Sequence, residues 1–167
     1  MPPITRVFYA AAWVCALTLM LTTASGARGA ESWLGVSAGA DFVNYSPMSA
    51  FSFEGGLWPE HKHFGYQAYV EYADASCDNP MWTIGAEPIL RLHRVYGGVG
   101  LAYSNRKLCH GELDSYLNFS IGIGVRVSKR VDIQWRHRSH GADLGIEHDK
   151  SNDGVNLLEV RVRFYNR

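Results

Sequence analysis

Two side chains near the carboxyl end of the sequence have the residue types of nucleophilic catalysis at a usable spacing. His137 and Ser139 lie two residues apart in the stretch VDIQWRHRSH, residues 131–140. A serine hydroxyl is barely nucleophilic on its own and needs a base to take its proton, a task imidazole performs. On an extended strand, residues i and i+2 share a face and lie about 6.6 Å apart, so their side chains can lean into contact. The alternation around them is strict. Val131, Ile133 and Trp135 share the side of His137 and Ser139, while Asp132, Gln134, Arg136 and Arg138 take the other. That is a strand with one apolar and one polar face. Two readings of the pair stand here. Either the apolar face has simply reached a polar boundary, where such side chains are ordinary, or a Ser–His hydrolase site is built on an apolar wall, where unpaired polar groups are otherwise costly.

The elements that must position the pair repeat the same period. Seven further runs alternate in this way: SWLGVSAGA (32–40), AFSFEGGLW (50–58), FGYQAYVEY (64–72), WTIGAEPILRL (82–92), VYGGVGLAY (95–103), YLNFSIGIGVRV (116–127) and NLLEVRVRF (156–164). The sixth run in chain order is the cleanest, with Leu117, Phe119, Ile121, Ile123, Val125 and Val127 opposing Asn118, Ser120 and Arg126. No long helical period appears anywhere, so the fold class is all-β.

A soluble sandwich or lipocalin-like barrel would turn the apolar face inward, and a transmembrane barrel would turn it to lipid. Three features favour the membrane. Runs of about nine to eleven residues suit a tilted strand crossing a bilayer. Aromatic residues gather at run ends, among them Trp33, Trp58, Phe64, Tyr72, Trp82, Tyr103, Phe164 and Tyr165, as belts at two interfaces would require. Long connections around 73–81, 104–115 and 140–154 alternate with tight ones at 93–94 and 128–130, the asymmetry of outer loops and periplasmic turns. The expectation is an eight-stranded antiparallel transmembrane β-barrel over residues 31–167. Both termini would lie in the periplasm.

Residues 1–30 read as a secretory signal peptide. MPPITR is a positive start, VFYAAAWVCALTLMLTT an apolar core, and ASGARGAES supplies small residues for a cut between positions 26 and 30. Export leaves Cys77 and Cys109, both in connections on the outer side. In an oxidising compartment they can pair as a disulfide or remain two loop thiols. Sixteen basic and sixteen acidic side chains balance to zero formal charge, which removes the basic excess that nucleic acid would require. Both signs also alternate on the polar faces (Glu54, Glu71, Glu87, Arg91, Arg126, Asp132, Arg136, Arg138, Glu159, Arg161 and Arg163). An eight-stranded barrel has an interior just wide enough for side chains, so these read as an ion-pair network rather than a pore lining. Two metal-like fragments fail on chemistry. DKSNDG (149–154) imitates the start of a calcium loop, but Val160 stands where the closing glutamate belongs. HKH (61–63) reads as a hydrated turn more readily than as a metal site.

RHRSHGA (136–142), the eight runs and the leader together resemble the PagL-type lipid A 3-O-deacylases, outer-membrane barrels of Gram-negative bacteria. The motif of that family is approximately H-x-S-N-[AG], then a short loop and a glycine, a branched residue and an acid opening the last strand. The resemblance implies His137 as base and Ser139 as nucleophile, with NDGVN (152–156) placing Asn156 where the family has its acid. His140 stands where the family has an asparagine oxyanion donor, and the Gly141 N–H could contribute. Asn156 can orient an imidazole but cannot neutralise it; Glu147 and Asp149 are substitute acids or plain solvated loop charges. The implied activity is hydrolysis of an ester-linked acyl chain of lipid A without metal or cofactor. The implied surroundings are outer-membrane lipids, with a homodimer among the assemblies allowed. The competing class is a non-catalytic eight-stranded outer-membrane barrel, either structural or adhesive or a decayed relative of the enzyme.

Overall fold

The computed structural model describes residues 30–41, 48–59, 63–75, 80–105, 116–139 and 154–166. The expected leader, the two loop cysteines, His140, Gly141, Glu147 and Asp149 lie outside these residues. Eight strands follow in chain order: β1 (Ala30–Asp41), β2 (Met48–Pro59), β3 (Phe64–Ala75), β4 (Met81–Leu92), β5 (Val95–Ser104), β6 (Leu117–Arg126), β7 (Val131–Ser139) and β8 (Val155–Asn166). Each alternating run of the sequence is one strand, with bounds that agree to within three residues. Each strand pairs antiparallel with the next, and β8 returns to β1, so the sheet is a closed barrel without edges. The connections 42–47, 76–80, 105–116 and 140–154 share one end. The connections 60–63, 93–94 and 127–130 share the other.

The faces are inverted relative to a soluble protein. Phe53, Phe64, Tyr66, Val99, Leu117 and Ile123 are exposed on the outside, while the lumen holds charge. Arg136 sits among four carboxylates, 3.6 Å from Glu54, Glu71 and Glu87 and 3.3 Å from Glu159. Arg161 pairs with Glu54, and Arg163 with Asp132 at 2.6 Å. Hydroxyls and amides add hydrogen bonds to part of this network: Ser37 and Ser52 each donate to Glu54 at 2.8 Å, and Gln67 donates to Glu87 at 2.7 Å. Buried charges are tolerable only when paired and hydrogen-bonded in this way. The lumen is therefore packed with side chains. The aromatic belt needs one correction. Trp33 (1% exposed) and Trp58 (4%) are not at an outer interface but inside the barrel, where Arg161 lies 4.8 Å over the Trp33 ring and Arg91 4.7 Å over that of Trp58. Tyr69 also crosses the lumen, and it does so because Gly85 faces it. A Cβ on Gly85 would overlap the phenol ring.

Candidate functional site

β7 and β8 bring three of the sequence's candidate residues to one outward face. The pairing register sets His137 opposite Asn156 and Arg138 opposite Val155. Strand parity then turns His137, Ser139 and Asn156 outward with Trp135 and Leu158, while Arg136, Arg138 and Glu159 point into the lumen and are buried.

Asn156 Oδ1 lies 3.0 Å from His137 Nδ1. With the proton on Nδ1, the amide oxygen accepts it and leaves Nε2 free to act as a base. The ring is held on two further sides. Trp135, two residues back on the same face, stacks with it at 5.9 Å between centroids and 20° between planes. Gly154 meets its other edge: a Cβ there would collide with Cε1 and come within 3.0 Å of Nε2. Gly154 also has φ +63°, in the left-handed region that a glycine enters without penalty. It stands one step beyond the last β7–β8 pair, at the level of Ser139. The Nε2 edge of the imidazole thus faces the strand position beside the serine.

Ser139 is the last residue of β7 and only 8% exposed. Among the described residues no hydrogen bond joins its hydroxyl to His137, whose ring is hydrogen-bonded to Asn156. Such bonds are commonly long in a ligand-free site and tighten with substrate.

One residue at the site carries no local signal in the sequence. Asp41, the last residue of β1, is 4% exposed, and its Oδ2 accepts the backbone N–H of Asn156 at 3.1 Å. It lies 115 residues from Asn156 along the chain, so only barrel closure brings the two together.

The apolar wall beside the site is grooved. A depression of about 530 Å³ runs over β4, β5 and β6, where Gly97 leaves the outer surface low between Phe64, Leu90, Val99 and Ile121. Ile121 is the cross-strand partner of His137, so the groove begins one strand away from the imidazole.

No family model and no curated protein match the sequence. The fold does match solved structures. The outer membrane enzyme PagL aligns over 79% of this chain and 98% of its own, with TM-score 0.55 and 16% identity. Neisserial surface protein A aligns over 84% and 99%, with TM-score 0.49 and 14% identity. A barrel from the de novo design of transmembrane β-barrels aligns over 82% and 98%, with TM-score 0.42 and 12% identity. One fold can carry many functions or none, and at 16% identity the likeness to PagL is one of fold: this chain is a closed eight-stranded antiparallel barrel of the outer-membrane type.

Proposed function

We propose that the protein is an exported outer-membrane serine esterase that removes an ester-linked (3-O) acyl chain from lipid A. The observation that carries this reading is the 3.0 Å contact of His137 Nδ1 with Asn156 Oδ1, on the outward face that also bears Ser139. A base oriented on an apolar wall suits a substrate lying beside the barrel. The apolar exterior supports placement of the strands in lipid, and the groove reaching Ile121 gives an acyl chain room against the wall.

In the proposed reaction His137 Nε2 takes the Ser139 proton as Oγ attacks the ester carbonyl carbon. The tetrahedral oxyanion forms near His140 and Gly141, which would donate to it. The C–O bond breaks, the sugar hydroxyl leaves with the proton returned from the imidazolium, and the acyl group stays on Ser139. Water then attacks with His137 again as base, releasing the fatty acid and the free serine. Side chains of this chain suffice, with no metal or cofactor. The proposed partners are lipopolysaccharide and outer-membrane lipids, with a homodimer as a further assembly.

A second reading, a non-catalytic barrel, is favoured by the amide at position 156 and by the unjoined Ser139–His137 pair. One experiment separates the two. Lipid A is extracted from a Gram-negative host expressing the wild type or Ser139→Ala and weighed by mass spectrometry. Loss of one hydroxyacyl chain with wild type only supports the esterase; unchanged lipid A beside a folded outer-membrane barrel supports the scaffold.

A further inference from the structure

An amide in the third position of a Ser–His site leaves an electrostatic deficit. Asn156 can hold the Nδ1 proton of His137, but it offers no charge to the imidazolium that forms as the serine proton moves. The carboxylate hydrogen-bonded to Asn156 lies on the other side of the barrel wall. Asp41 ends β1 on the lumenal side, and its Oδ2 accepts the Asn156 N–H at 3.1 Å. The β1–β8 ladder ends at Asp41 opposite Leu157, so at the next position of β8 a side-chain carboxylate replaces the ladder's carbonyl. Asn156 is thereby held twice, through its main chain by a charge-assisted bond from inside and through its side chain by the imidazole outside.

We infer that Asp41 is a positioning residue that acts through Asn156, fixing the amide against His137 and supplying across the wall the negative charge that position 156 lacks. The inference rests on the esterase reading above. Charges interact over longer distances in a medium of low dielectric constant than in water, and this one acts only as the imidazolium develops. Its benefit therefore falls on the transition state rather than on substrate binding.

The test is a double-mutant cycle read by the rate at which a fluorophosphonate probe labels Ser139 in the folded full-length barrel. The variants are Asp41→Asn, Asn156→Glu and the pair, with heat-modifiable gel mobility as the check on folding. Asp41→Asn keeps size and an oxygen acceptor while removing charge, and Asp41→Ser is a second neutral acceptor if the first folds poorly. In the natural background Asp41→Asn is expected to slow labelling about tenfold. With glutamate at 156 touching the imidazole directly, the same change is expected to be neutral to within about twofold, or to speed labelling by relieving repulsion between two carboxylates. Equal slowing in both backgrounds overturns the inference in favour of a plain structural role. No slowing in the natural background overturns it outright while leaving the esterase reading intact. A folded wild type that the probe does not label at Ser139 overturns that reading, and this inference with it.

Discussion

His137 and Asn156 face each other across the β7–β8 pair with Nδ1 and Oδ1 3.0 Å apart, on the outward side of the barrel. This contact sets the tautomer and angle of the imidazole, so its removal should damage chemistry more than fold. Asn156→Ala is expected to slow Ser139 labelling about a hundredfold with heat-modifiable mobility unchanged, and Asn156→Glu to raise it about tenfold. Labelling kinetics on the purified barrels check both directions. An alanine variant as fast as wild type would remove Asn156 from the site.

Gly154 meets two demands at once, a left-handed backbone at φ +63° and space for the His137 ring. Gly154→Ala is expected to cost about 1–2 kcal/mol of stability from the backbone alone. Gly154→Asn separates the two demands. Asparagine tolerates the left-handed region, so part of the backbone cost should be recovered, yet its Cβ still meets the Arg138 carbonyl oxygen at 2.7 Å and strikes the ring, and labelling should stay at least about tenfold down. Urea unfolding and labelling rates, measured side by side, show which demand dominates.

Arg136 is the hub of the lumen, with Glu54, Glu71, Glu87 and Glu159 around it and its guanidinium 4.0 Å over the Tyr69 ring. Arg136→Met is expected to destabilise the barrel by about 3–5 kcal/mol, because the buried carboxylates lose their shared partner. Adding Glu159→Gln to that variant should recover part of the loss. The unfolding midpoint in urea decides this, and a silent Arg136→Met would mean that the network adds nothing to stability.

The two sides of the wall can be told apart by tryptophan fluorescence in brominated lipid. Trp135 is 38% exposed on the outside, whereas Trp33 is 1% exposed in the lumen. In single-tryptophan variants Trp135 should be strongly quenched and Trp33 hardly at all. Equal quenching would contradict the inside-out arrangement, and with it the placement of the strands in lipid.

Most of this architecture is legible in the sequence because the period of a strand is two, and a one-residue shift would move every side chain to the wrong face. Parity alone puts His137, Ser139 and Asn156 on one side, and the register sets two of them opposite each other. The tryptophans show where composition misleads. Trp33 at a strand end looks like an interface anchor, yet it lies out of phase with Leu34 and Val36 and belongs with Ser37 in the lumen. Asp41 was not legible for another reason. No local pattern joins it to Asn156, because their contact comes from the pairing of the first strand with the last. His140 and Gly141 lie outside the described residues, so the oxyanion half of the site rests on sequence resemblance.

That pairing also bears on the order of events during biogenesis. His137 and Asn156 belong to one hairpin and can meet as soon as its two strands zip, but Asp41 arrives only when the nascent sheet curls round and its ends anneal. An unfinished barrel would therefore carry the proposed nucleophile and base without the Asp41 carboxylate behind them. On the esterase proposal, hydrolytic competence is a late acquisition, coincident with completion of the cylinder rather than with synthesis of the chain.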